Sequence, residues 1–183
     1  MKKLFILLCL PVFALFTACV EPDLPDDAPE TVESVDLIQY LGLWYEIASY
    51  PQFFNQGCNC TTAEYSLLNN GKVKVVNSCR LFSSQGPINR AVGTAVPVEG
   101  SNGTKLTVSF LPNNQGSNNG NYWIIELEED YSYAVVSDPF RNTWFLLSRT
   151  PVMDESLKNE IIDRAVADGF NRNRIKMTNQ DCG

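Results

Sequence analysis

Between Leu43 and Ser148 the sequence breaks into about eight short β-like runs, and this spacing restricts the fold more than any other feature. The runs are Trp44–Ser49, Thr61–Leu68, Lys72–Arg80, Ile88–Val96, Lys105–Leu111, Tyr122–Glu128, Tyr131–Ser137 and Thr143–Ser148. Turn formers separate them: Asn69-Asn70-Gly71, Glu99–Gly103, the Asn/Gly-rich Asn113–Asn121, and Asp138-Pro139. Short runs at this interval read as an all-β barrel or sandwich. Several alternate in polarity. Thr62, Glu64 and Ser66 are polar between the apolar Ala63, Tyr65 and Leu67, and Thr107 and Ser109 oppose Leu106, Val108 and Phe110. Such strands keep one face in water and one inside.

Tyr122–Leu127, Tyr133–Val136 and Trp144–Leu147 are apolar on both faces, so their outer side needs a cover. After Pro151, Met153, Leu157, Ile161, Ala165 and Val166 recur at helical spacing, with Asp154 as N-cap and Gly169 as stop. That amphipathic helix can pack outside a barrel. A last short strand, Arg174–Thr178, precedes Cys182. An eight-stranded sandwich is the alternative, and it has no need of the helix.

Upstream, Lys2 and Lys3 lead into the apolar run Leu4–Phe16 and the small residues Thr17-Ala18. The run is too short to span a bilayer and reads as a signal peptide over residues 1–18. Phe16-Thr17-Ala18-Cys19 resembles the bacterial lipoprotein cleavage box, with Phe16 where leucine is usual. The resemblance implies lipidation of Cys19, and Val20 after it favours the outer membrane. An ordinary signal-peptidase site is the alternative. Residues 19–35, rich in Pro, Asp and Glu, read as the lipidated start of a disordered tether, leaving 36–183 as the domain.

Six cysteines are present. With Cys9 in the leader and Cys19 assigned to lipid, Cys58, Cys60, Cys79 and Cys182 remain, and an exported protein is expected to pair them as disulfides. Cys58 with Cys79 and Cys60 with Cys182 suits the hairpin at Asn69–Gly71. Cys60 with Cys79 is nearly as good on spacing alone. A four-thiolate zinc site is disfavoured, because the pattern does not match structural zinc spacings.

The chain contains no histidine. That removes His-based triads, His metal sites and imidazole proton shuttles. No metal site, no cofactor and no catalytic residue is expected. Losing residues 1–18 takes Lys2 and Lys3 and moves the net charge from −7 to −9, which disfavours nucleic acid as a partner.

Three signatures, with one further stretch after the first, then stand in order. Tyr40-Leu41-Gly42-Leu43-Trp44-Tyr45-Glu46-Ile47-Ala48 resembles the first lipocalin signature, G-x-W followed by Y-E-I-A. Asn55-Gln56-Gly57 with Cys60, Ala63 and Tyr65 resembles the stretch that follows it in apolipoprotein D-like members. Tyr133–Asp138 resembles the second signature and Leu147–Pro151 the third. The resemblance covers roughly residues 36–182. It implies an eight-stranded up-and-down antiparallel barrel with one C-terminal α-helix packed outside. It also implies that Trp44 lies across the closed end under Arg149, a cation–π contact that seals the base.

Alternation from Arg149 turns Leu147 and Phe145 inward. The same reasoning turns Ala63, Tyr65, Val75, Leu106, Val108 and Phe110 inward, and Asn77 with them. For Tyr122–Leu127 and Tyr133–Val136 pattern alone does not decide. The resemblance places Tyr122, Ile124, Ala134 and Val136 inside, with Trp123 and Val135 under the helix. These residues form the expected ligand wall, with core packing as the plain alternative.

The implied function is binding, storage or transport of a small hydrophobic ligand, a fatty acid or lysophospholipid, at the bacterial envelope. The domain is expected in the periplasm, lipid-anchored to the outer membrane, and a homodimer stays open. The alternatives are an envelope-interaction module whose cavity is incidental, and a cavity-based isomerase, which would need an unpaired cysteine.

Overall fold

In the computed structural model, residues 23–111 and 118–182 are described. The expected signal peptide, Cys19 and most of the Asn113–Asn121 loop lie outside them. A four-residue helix α1 (Leu37–Tyr40) leads into nine strands: β1 (Gly42–Ser49), β2 (Cys58–Leu67), β3 (Val73–Leu81), β4 (Ile88–Pro97), β5 (Lys105–Ser109), β6 (Tyr122–Leu127), β7 (Tyr133–Ser137), β8 (Trp144–Ser148) and the two-residue β9 (Lys176–Met177). Helix α2 (Glu155–Ala167) stands between β8 and β9.

From β1 to β8 each strand pairs antiparallel with the next, and β1 also pairs with β8, so the eight close into a barrel. The lower half of β1 pairs with β2 (Gly42↔Tyr65, Tyr45↔Thr62), and its upper half with β9 (Ala48↔Met177). The C-terminus is thus stitched into the gap where β1 and β2 diverge. The disulfides are Cys58–Cys79 and Cys60–Cys182. The first ties β2 to β3, and the second holds the C-terminal segment to β2.

Two apolar clusters form on opposite sides of the sheet. The interior one contains Trp44, Tyr65, Val75, Leu106, Ile124, Val136 and Leu147, among others. The outer one joins Ile47, Val135, Trp144 and Leu146 of the strands to Ile161, Ile162 and Ala165 of α2. The helix therefore covers the strands that are apolar on both faces. Asp154 caps it, accepting from Leu157 N at 3.0 Å. Two details of the expectation are corrected. Val166 is 37% exposed, and Ile162 takes its place on the buried face. Trp123 is buried away from α2: Lys105 Nζ lies 3.7 Å from its ring centroid and Asn119 O accepts from its Nε1. The final strand is also shorter than expected, because Arg172–Arg174 forms a 3-10 turn.

The tether expectation is corrected over its described part. Val32 N donates to Ile124 O (3.1 Å) and Val35 N to Asn102 O (2.9 Å). Val35 is buried in the interior cluster, with Val32 packed against it. Beyond the end of β5, β6 lacks a ladder partner, and this segment supplies one. The packed unit thus begins before residue 36. Further upstream Asp27 meets Arg141 through its carbonyl oxygen and, at 3.3 Å, its carboxylate.

Candidate functional site

The base of the interior grows from the start of β1. Gly42 has φ +96°, a region that favours glycine, and a Cβ there would lie 3.4 Å from Arg149 Nη1. Two residues later Trp44 is fully buried, and its Nε1 donates to Tyr40 O at 2.9 Å. The Arg149 guanidinium lies 3.8 Å from the indole centroid. It donates to the carbonyls of Gln39 (2.7 Å), Leu43 (3.0 Å) and Tyr131 (3.3 Å). Its donors are thereby committed to three chain segments that meet at the closed end. α1 completes the seal, with Asp36 as N-cap accepting from Ile38 N at 2.8 Å.

Over Trp44 rises a ladder of rings. Centroid separations are 4.9 Å from Trp44 to Tyr40, 5.7 Å from Tyr40 to Tyr65 and 6.2 Å from Tyr65 to Tyr122. The three hydroxyls converge: Tyr122 Oη is 2.8 Å from Tyr40 Oη and 3.0 Å from Tyr65 Oη. Burial pushes the Tyr65 phenol up to about 12 and those of Tyr40 and Tyr122 well above the ordinary value. All three stay neutral near pH 7. Three hydroxyl hydrogens share two contacts, so one hydrogen remains to be donated elsewhere.

The expected wall residues divide by height. Tyr65, Val75, Leu106, Ile124, Ala134 and Val136 sit in the interior cluster with almost no free surface. Tyr40 and Val35 pack with them in the lower barrel. Ala63, Val108, Tyr122 and Phe145 are half-buried against that cluster. Asn77 lies outside it, in register with Ala63 on one side and Ala91 on the other. Its Oδ1 is buried with no hydrogen-bond partner. Phe110 is 42% exposed and turns over Gly93, where a Cβ would come within 2.8 Å of its ring.

The inward row of β4 reveals the shape. Ala95 is fully buried and Gly93 is buried, whereas Ala91 and Asn89, on the same face, are exposed. The interior is therefore sealed below and reached by solvent above.

The motif reading missed two groups. Tyr40 opens the first signature stretch but was given no inward role, because its direction depends on α1, whose four residues leave no periodic signal. Glu46 was legible in principle: it lies two residues after Trp44 and so shares its face until a bulge between Glu46 and Ala48. Its Cα partner is the inward Leu147. Glu46 is 7% exposed, and its Oε1 accepts from Ser49 Oγ (3.0 Å) and Thr178 Oγ1 (2.5 Å). Burial raises its pKa, opposed by the bonds from Thr178 and Ser49. Among the described residues no group of three or more Cys, Asp or Glu is placed to hold a metal ion.

A small closed barrel, sealed by an arginine-covered tryptophan and open above, defines a class of ligand-enclosing β-barrels. Residues 35–180 match the family model of the lipocalin-like domain. The chain belongs to the lipocalin family. It is 36% identical to the outer membrane lipoprotein Blc of Vibrio cholerae, over 96% of both chains. Against the protein of that name from Escherichia coli K12 the identity is 33% over 85% of each. Mouse apolipoprotein D is 30% identical over 84% of this chain and 81% of its own. Among solved structures, insecticyanin of the tobacco hornworm superposes with a TM-score of 0.62 over 86% of each chain at 20% identity, a likeness of fold.

Proposed function

We propose that this chain is an envelope lipoprotein, anchored through Cys19 to the outer membrane with its barrel in the periplasm, that binds a fatty acid or lysophospholipid and catalyses no reaction. The observation that carries this reading is the gradient along the inward face of β4, from buried Ala95 to exposed Ala91. It leaves a space, open at one end and bordered by Ala91, Asn89 and Asn77, above a packed floor. An acyl chain entering it would bury apolar surface at roughly 25 cal/mol per Å², which makes chain length the main determinant of affinity. The spare hydroxyl hydrogen of the tyrosine trio and the unpartnered Asn77 Oδ1 offer one donor and one acceptor to a polar head. The family's association with small hydrophobic ligands and the lipoprotein relatives support the same reading.

The test is titration of the delipidated protein with an environment-sensitive fluorescent fatty acid, competed by unlabelled fatty acids and lysophospholipids. One-site, competable binding that tightens with chain length is expected. Tyr65→Phe and Asn77→Ala are expected to weaken it severalfold. Binding identical to the wild type in both variants would remove the head-group role, and no binding to a folded barrel would overturn the reading.

A further inference from the structure

We propose that the open rim of the barrel docks mouth-down on a fluid phospholipid bilayer, and that the N-terminal segment is routed to hold it there. By antiparallel alternation the β1–β2, β3–β4 and β7–β8 loops share the end opposite Trp44. Phe53 and Phe54 of the first are 86% and 55% exposed, and Phe82 of the second is 84% exposed. Exposed Ile88 adjoins Phe82, and Phe140 projects from the third loop.

These side chains are held out by ordered backbone. Asn55 N donates to Gln52 O, Cys58 N to Asn55 O, and Phe82 N to Gly57 O at 2.7 Å. Phe82 adopts φ 70°, disfavoured for an aromatic residue, yet its ring gains little burial in return. A strained, ordered, exposed aromatic points to a surface outside the chain.

Charge selects that surface. Residues 50–57 and 82–87 contain no charged side chain, and the β7–β8 loop carries one Asp and one Arg. The opposite end carries Asp36, Glu99 and the run Glu128-Glu129-Asp130. The rim offers a protein partner few charged groups, Asp138 and the Arg141–Asp27 pair, whereas a bilayer needs only apolar side chains at one pole. The acids at the other pole disfavour the inverted orientation on an anionic membrane.

The chain's own path agrees. From Val35 at the closed end the segment runs back to Asp27, which Arg141 of the β7–β8 loop holds by two contacts. Arg141 is fixed in turn by donating to Asp168 O at 2.9 Å. Asp27 lies eight positions after Cys19, a reach of at most about 28 Å. With Cys19 lipidated, anchor and mouth face one membrane, and a lipid enters the barrel without crossing bulk water. The entry step rests on the proposed lipid-binding function and the routing on the proposed anchor at Cys19, whereas the contact of the apolar rim with the bilayer rests on neither.

The test places a tryptophan at each pole of the full chain, expressed with its own leader, purified from the envelope and reconstituted in phospholipid vesicles. Phe53→Trp and Phe82→Trp report the rim, and Leu67→Trp, at an exposed position beside the β2–β3 turn, reports the opposite end. Trp44, Trp123 and Trp144 are at most 2% exposed and give a constant background. With lipids brominated near the top of their acyl chains, the rim reporters are expected to shift to the blue and be quenched at least threefold more than Leu67→Trp. Equal quenching at both poles, or no lipid-dependent change at the rim, overturns the proposal. A blue shift that precedes vesicle addition and grows with protein concentration also overturns it, in favour of a second copy on the rim. No fatty acid is added, so failure here is separable from failure of the ligand titration.

Discussion

At the scale of single residues the base of the barrel depends on Arg149. Its guanidinium stacks on Trp44 and ties together the carbonyls of Gln39, Leu43 and Tyr131. Arg149→Ala is expected to cost about 2–4 kcal/mol in urea unfolding, from the lost cation–π contact and the unmade charged hydrogen bonds. Arg149→Lys should recover less than half, because an ammonium lacks the planar fork that reaches three carbonyls. A loss below about 0.5 kcal/mol for the alanine variant, on the scale of ordinary surface substitutions, would contradict this role.

Glu46 gives a second prediction at the same scale. Burial raises its pKa, so its stabilising share is complete below the ordinary value of 4.5 and is lost as pH rises through the raised value. An amide in place of the carboxyl keeps an acceptor for Ser49 and Thr178 without ionising. Glu46→Gln should therefore gain in stability on the wild type as pH rises from 4.5 to neutrality. A stability difference independent of pH would contradict it. Glu46 shows why residue-level reading fell short. Its inward direction follows from Trp44, but its hydroxyl partner Thr178 lies 132 residues away and no local pattern announces it.

At the scale of elements most of the structure was legible. All eight barrel strands lie where alternation and turn residues place them, to within a few residues, and α2 runs between its Asp154 cap and Gly169. What stayed hidden depended on partners distant in sequence. The segment before Asp36 reads as solvated by composition, yet Val32 bonds to the part of β6 that β5 leaves unpaired and Val35 bonds to Asn102 and packs into the interior. Trp123 was assigned to the helix from its outward direction, but the lateral position of α2 leaves Lys105 and Asn119 to cover it. Packing between elements also makes a test. In β4, a Cβ on Gly93 would meet Ser109 O at 2.5 Å and the Phe110 ring at 2.8 Å. Backbone cannot yield as a side-chain tip can. Gly93→Ala is therefore expected to destabilise by about 1–3 kcal/mol and to displace Phe110, seen as altered amide shifts in β5. Unchanged stability and unchanged shifts would contradict the contact.

At the scale of the whole molecule the barrel is polarised. Trp44, Arg149 and α1 seal one end, the tyrosine trio and apolar core fill the space above them, and the inward face opens only beyond Asn77 and Ala91. Motifs gave the family and the inward direction of the wall, but not which inward residues are packed solid and which face open space. That division depends on how far Tyr40 and the N-terminal segment intrude. It also locates the most direct test. Ala91 is exposed, faces inward and pairs with Asn77, so Ala91→Trp would place a ring in the reachable space without disturbing the packed floor. Circular dichroism and the urea midpoint first establish that the variant is folded. One-site binding of the fluorescent fatty acid by the wild type, lost or weakened at least tenfold in Ala91→Trp, is the result predicted. Undiminished binding in the folded variant would place the ligand outside the barrel and contradict the account.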